Sequence, residues 1–310
     1  MTRTDRAAAT STEPGLSLTI SGLHRTLGDD PRHYVEVARI AEDVGFAQVV
    51  LADHVVMGER TDRYPYGSVP FEPDEPWLEP LTMLAAIATA TSTIRLGTGI
   101  LIAPLRGATL LATTVATLDA LSEGRVDLGV GVGWQPEEFE AAGLPFERRW
   151  SRLEDTLGAC RALWAVDGPA SFSAETVRFE QVWCRPRPVQ ARLPVWFGAN
   201  ATERTAARIA ALGDGWMPLA ATSPEEIGAG VGVIADAYRA VDRDPAGLLV
   251  RTGLPIIRGT EGIDLDASMA EVAPLLEAGV TSFSVNLRRM TTPEDARPWL
   301  ESVASAWPLR

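Results

Sequence analysis

Residues 94–133 read IRLGTGILIAPLRGATLLATTVATLDALSEGRVDLGVGVG. The run 94–101 is short and mostly apolar, and reads as a strand. Residues 107–122 carry apolar side chains at helical spacing without an interrupting proline, and read as a helix. Residues 125–133 return to a strand pattern. Two strands separated by a helix are parallel, because a parallel pair needs a long crossover.

The same unit repeats in both directions. Strands are expected at 17–22, 46–52, 94–101, 125–133, 193–198, 214–219, 247–256 and 280–287. Helices are expected at 31–45, 78–92, 107–122, 148–166, 201–213, 223–241, 266–278 and 292–307. Pro31 and Gly45 mark the start and stop of the first helix. Eight alternating pairs predict an α/β fold, a (β/α)8 TIM barrel with insertion loops, spanning 16–310 after a flexible tail at 1–15. A doubly wound sheet would want G-x-G-x-x-G after the first strand, and SGLHRTLG (21–28) does not supply it. Three insertions interrupt the alternation, at 55–77, 134–147 and 167–192. The first two follow strands and therefore lie on the C-terminal face, where such barrels keep their sites.

Composition narrows the chemistry. The 310 residues are 46% hydrophobic and carry a net charge of −13, which disfavours nucleic acid and anionic membranes as partners. The chain contains no lysine, so Schiff-base, pyridoxal-phosphate and Walker-type chemistry are excluded. Cys160 and Cys184 lack metal spacing, and no metal site is expected. The N-terminal stretch lacks a signal-peptide core and no run is long enough to span a membrane, so a cytoplasmic protein is expected.

Polar residues collect at strand ends. Asp53 and His54 follow the apolar run Val49–Leu51 directly and can point into the mouth of a cleft. His24, after the first strand, is either a ligand contact or a polar loop residue. Gly97 and Gly99 mark either close backbone approach or tight packing against a helix. Gly129, Gly131 and Gly133 alternate onto one face, leaving room for bulky neighbours or for a flat ligand. Trp134 is either a stacking platform or a core aromatic. Gly198, Ala199, Asn200, Ala201 and Thr202 lead into a helix, where free amides form an anion site or where Asn200 or Thr202 simply caps. Tyr64, Tyr66, Phe71 and Trp77 in the first insertion are placed to shape a substrate pocket.

Several stretches together resemble the bacterial luciferase-like family of flavin and deazaflavin oxidoreductases. They are ARIAEDVGFAQVVLADHVV (38–56), TSTIRLGTGILIAP (91–104), VATLDALSEGR (115–125), DLGVGVGWQPEEFEAAG (127–143), WFGANATERTAARIAALGDGWMP (196–218) and EAGV (277–280). The likeness covers about residues 17–287. The run YPYG (64–67) with DEPWLEPLTMLAAIATAT (74–91) is most similar to the branch that uses the deazaflavin coenzyme F420.

The resemblance implies a ring bound at the C-terminal mouth. It implies a non-prolyl cis peptide at Gly99–Ile100 against that ring, with Asp53 and His54 facing it. Val132, Gly133 and Trp134 would line the other side, and residues 198–202 would hold the phosphate. His54 is then the expected acid/base or the group stabilising charge near the substrate, and Asp53 a ring contact or an orienter of His54. His24, Tyr64, Tyr66 and Trp134 are expected on the side of a small-molecule substrate.

Some deazaflavin members place a glutamate proton donor where Trp134 stands. Many have Gly-Gly where this chain has Gly198-Ala199. The implied function is F420-dependent hydride transfer. The alternatives are an FMN-dependent monooxygenase fed by a reductase partner and a non-catalytic deazaflavin or flavin binder. A homodimer is common in relatives.

Overall fold

The computed structural model describes residues 14–65, 72–219, 223–260, 262–287 and 290–309. Among them, eight parallel strands close into a barrel: β1 (Gly15–Ile20), β2 (Gln48–Leu51), β3 (Arg95–Thr98), β4 (Val126–Gly131), β5 (Val195–Gly198), β6 (Gly215–Met217), β7 (Leu249–Gly253) and β8 (Ser282–Asn286). Each pairs with the next in sequence, and β8 returns to β1 through Gly15–Ser282 to Thr19–Asn286. Because β1 begins at Gly15, the expected tail boundary moves back. Residues 1–13 of that tail lie outside the described residues.

The outer layer comprises α1 (Arg32–Val44), α2 (Pro80–Ala90), α3 (Ala108–Leu121), α4 (Arg149–Ala165), α5 (Glu203–Leu212), α6 (Pro224–Arg239), the split helix α7 (Leu265–Ala270 and Val272–Glu277) and α8 (Ala296–Ala306). The seventh helix was expected unbroken. Pro274 cannot donate to the carbonyl four residues before it, and the break falls there.

Strand alternation sorts the side chains. Leu18, Val49, Leu128, Val130, Val195, Phe197 and Val250 are buried and join the core that packs strands on helices. Ser17, Gln48, Asp127 and Arg251 contact one another across the inside of the barrel. The barrel interior is therefore polar and rich in glycine, while the apolar core lies outside it.

The LDALSEGR stretch is structural. Buried Asp119 accepts from the amides of Val126, Val189 and Gln190. Glu123 and Gly124 turn the chain with φ of 56° and 88°. Buried Arg125 donates to the carbonyls of Ala88, Thr91, Ile94 and Ser122, tying α2 to α3. Cys160 packs in the core, and burial pushes its thiol up to about 12.

Two hairpins were not foreseen. One, Ala170–Ser173 with Arg178–Val182, occupies the third insertion. The other, Ile257–Gly259 with Gly262–Asp264, follows β7, which stops at Gly253 rather than 256. No helix among the described residues is long and apolar enough to cross a membrane.

Candidate active site

Strand three was expected to run from 94 to 101. It is interrupted: β3 ends at Thr98, the Gly99–Ile100 peptide is cis, and Leu101–Ile102 resumes pairing with β4. This is the bond the resemblance implied. The glycines around it are explained by close approach. A Cβ on Gly131 would sit 2.7 Å from Ile100 Cδ1, and one on Gly198 would sit 2.6 Å from Ile100 Cγ2. A Cβ on Gly129 would overlap the Thr98 carbonyl. The alternating glycines of β4 thus make room for a neighbouring segment, and Ile100 fills the space between β4 and β5. Gly97 and Gly99 pack against side chains of β2, Gln48 and Val50, rather than against a helix. Ile100 remains partly exposed at the mouth.

This packing can be tested by stability alone. Gly131→Ala inserts a methyl into filled space, which costs about 1–3 kcal/mol. Adding Ile100→Ala in the same chain is expected to recover most of that loss in thermal unfolding. Two additive losses would show that the two residues are not coupled.

Asp53 and His54 point to different partners, as adjacent residues leaving a strand should. The Asp53 side chain is buried, and its carboxylate is fully engaged. Oδ2 accepts from the Ile102 amide at 2.7 Å and from Arg106 Nη1 at 2.7 Å, and Oδ1 accepts from Arg106 Nη2 at 3.0 Å. Arg106 also donates to Glu79. Burial alone would pull the Arg106 pKa down, but its bonds to Asp53 and Glu79 hold it above the ordinary arginine value. Asp53 therefore fastens the segment just after the cis bond.

His54 is 9% exposed, and its Nδ1 lies 3.1 Å from Glu138 Oε2. Glu138 is 1% exposed and also accepts from the Val55 amide at 2.9 Å through Oε1. It stands on the short helix Pro136–Ala141 that follows β4. Trp134 stands where some relatives place a glutamate, and a buried acid, Glu138, lies four residues further on. A Glu in a helical first turn reads as ordinary dipole compensation, so the sequence hid it.

The two insertions hold each other over this pair. Gly58 and Gln135 exchange two hydrogen bonds, of 2.9 and 3.1 Å, and Arg63 reaches Glu137. Aromatic rings enclose His54. Trp77 meets it edge-on at 4.6 Å and Trp134 at 6.1 Å, and Tyr64 packs against Trp134 at 5.2 Å. Trp134 is part-buried at the mouth. Its Nε1 is buried without a hydrogen-bond partner among the described residues. Gly133, at φ 70°, turns the chain from β4 into Trp134, and Val132 packs against the core. Tyr66 and Phe71 lie outside the described residues.

His24 lies 3.3 Å from Glu75, which also accepts two bonds from Arg25. His24, Trp77, Met83 and Asn286 line a cavity of about 370 Å³ at the ends of β1, β2 and β8. Trp77 touches both this cavity and His54, which puts the cavity next to the pair.

At 198–202 the structure shows the capping reading. Thr202, not Asn200, caps α5, in a reciprocal box with Thr205. The Ala199 amide is bound to the Met217 carbonyl, and the Thr202 amide to Asn200 and Thr205. The Asn200 and Ala201 amides have no acceptor among the described residues.

A family model described as luciferase-like monooxygenase matches residues 4–295. The chain belongs to the luciferase-like monooxygenase family. An uncharacterised Mycobacterium tuberculosis protein is 33% identical over 274 residues, covering 86% of this chain and 91% of its own. An F420-dependent secondary alcohol dehydrogenase in complex with an F420-acetone adduct superposes with TM-score 0.75, at 17% identity, over 96% of this chain and 99% of that one. The long-chain alkane monooxygenase LadA superposes with TM-score 0.74, at 15% identity, over 94% and 90%. At those identities the two structures share the luciferase-like barrel fold with this chain. Luciferase-like proteins include both F420-dependent enzymes and monooxygenases.

Proposed function

We propose that this chain is a coenzyme F420-dependent oxidoreductase that transfers hydride between the deazaflavin and a small organic substrate. The observation that carries this reading is the buried His54–Glu138 pair beside the mouth, enclosed by Trp77 and Trp134. Hydride transfer to or from an oxygen-bearing carbon needs a proton moved in step, and this pair is built to move one.

The residues present fit such a cofactor. Ile100, seated between Gly131 and Gly198, gives the ring an apolar floor. The Asn200 and Ala201 amides at the start of α5 can take its phosphate without a lysine. The Trp134 Nε1 lacks a partner among the described residues and is a donor for the ring or the substrate. A bound deazaflavin or flavin supplies the hydride chemistry.

The protein manages the proton. Glu138 Oε2 lies 3.1 Å from Nδ1 of His54, so the carboxylate orients the imidazole that would pass the proton to or from the substrate. Trp77, Trp134 and Tyr64 keep water away from that transfer. Asp53 and Arg106 hold the floor in place rather than entering the chemistry.

The competing reading is an FMN-dependent monooxygenase served by a reductase, which the family description favours. Parallel absorption titrations separate the two. Coenzyme F420 is expected to bind at least tenfold more tightly than FMN, about 1.4 kcal/mol. Equal or tighter FMN binding, with oxygen consumed by the reduced complex, would overturn the F420 reading.

A further inference from the structure

The interior of a (β/α)8 barrel is ordinarily filled by layers of branched apolar side chains. Here the lower layers hold charge. Arg251 projects inward from β7 and is 5% exposed. Its Nη1 donates to Gln48 Oε1 at 2.5 Å, and its Nη2 lies 3.5 Å from the Thr98 carbonyl and against Met217 Sδ. The guanidinium carbon lies 5.2 Å from the centre of the Trp196 ring. Among the described residues no carboxylate pairs with it directly.

The nearest anion is already spoken for. Asp127 takes two bonds from Arg95, at 2.7 Å each, and one from Gln48 Nε2 at 2.6 Å. Gln48 is the only link between Asp127 and Arg251 among the described residues, and it is neutral. Arg95 thus holds both oxygens of Asp127, and Arg251 reaches that carboxylate only through the neutral Gln48 amide. Burial pushes the Arg251 pKa down to about 10, which still leaves it charged at neutral pH. Confining an unpaired cation in a protein interior is costly, so its retention calls for a compensating anion.

The position indicates where that anion belongs. Arg251 Nη2 would lie 3.4 Å from a Cβ placed on Gly99. It also touches the carbonyl of Thr98, the residue before the cis segment. The Arg251 guanidinium thus sits against the inner side of the Gly99–Ile100 floor.

We propose that Arg251 is an electrostatic positioning residue that favours the reduced, anionic form of a flavin or deazaflavin ring bound on that floor. This rests on the cofactor reading above. A fixed positive charge beneath a ring is a recognised way for a protein to tune a redox cofactor, and low-dielectric surroundings leave it poorly screened. The Arg251 guanidinium does not touch the reacting atoms; it acts through the floor.

The test uses the full chain with FMN and with coenzyme F420 as probes, each titrated in oxidised and reduced form. In the wild type the reduced form of the bound probe is expected to bind about tenfold or more tighter than the oxidised form, equivalent to a rise of about 30 mV for a two-electron couple. Arg251→Gln is expected to lose that preference while binding the oxidised probe within about threefold of wild type. Arg251→Lys, which keeps the charge, is expected to retain most of it.

A folded Arg251→Gln with an unchanged reduced-to-oxidised ratio would overturn the proposal. If Arg251→Gln does not fold, the wild type decides, because equal affinity for both forms would overturn it there. Binding of neither probe by the wild type would overturn the cofactor reading and this proposal with it. Binding of both forms without preference would overturn this proposal alone.

Discussion

His54→Ala is expected to slow single-turnover hydride transfer about 10²–10⁴-fold, the usual worth of general acid–base help. The cofactor's dissociation constant moves far less, because the floor at Ile100 and the amides at Asn200 and Ala201 remain in place. Glu138→Gln is expected to fall between wild type and His54→Ala. The amide can still accept from the Val55 nitrogen, but it no longer fixes the charge facing Nδ1. The measurement is stopped-flow oxidation of reduced coenzyme F420 by small carbonyl compounds at saturating cofactor. A wild-type rate in His54→Ala would make the pair a structural tie between the second strand and the helix Pro136–Ala141, with no part in proton transfer.

Asp53→Ala is expected to unfold at lower temperature, by a larger margin than other changes at the mouth. The substitution strands the Arg106 guanidinium and the Ile102 amide in a buried place. Breaking a buried ion pair by removing one partner costs about 3–5 kcal/mol. Arg106 keeps Glu79 and some solvent access, so the low end, about 3 kcal/mol, is expected here. At roughly 2–4 °C per kcal/mol, thermal unfolding falls by about 6–12 °C. Asp53→Asn loses less, since its amide oxygen can still accept from Ile102. Cofactor binding weakens in Asp53→Ala as a consequence of the loosened floor. An unchanged unfolding temperature would show that the Asp53–Arg106 pair does not hold the segment after the cis bond.

The barrel was legible because strand and helix periods alternate cleanly along the chain, and Pro31, Gly45 and similar residues punctuate them. The glycines of β4 were legible as a pattern but not in purpose. One face of alternating glycines fits a flat ligand and a bulky neighbour equally, and only the fold shows Ile100 filling the space. Asp53 and His54 were found because polar residues rarely close an apolar strand without cause. Their partners were not found, since Arg106 and Glu138 lie 53 and 84 positions along the chain from them.

Arg251 was hidden by its setting, as one arginine in GLLVRTGLPI looks like a strand residue facing solvent. The fold turns that face inward, where sequence periodicity gives no warning of charge. The hairpin Ala170–Ser173 with Arg178–Val182 escaped because its strands are short, mostly exposed and lack the apolar alternation of a half-buried strand.

The most direct measurement is the pH dependence of single-turnover oxidation of reduced coenzyme F420, in the wild type and in His54→Ala, with cofactor saturating throughout. If His54 carries the proton, the wild-type rate changes with pH, and His54→Ala is slow and loses that dependence. Identical pH profiles and comparable rates in the two proteins would contradict a proton-transferring His54–Glu138 pair at this site.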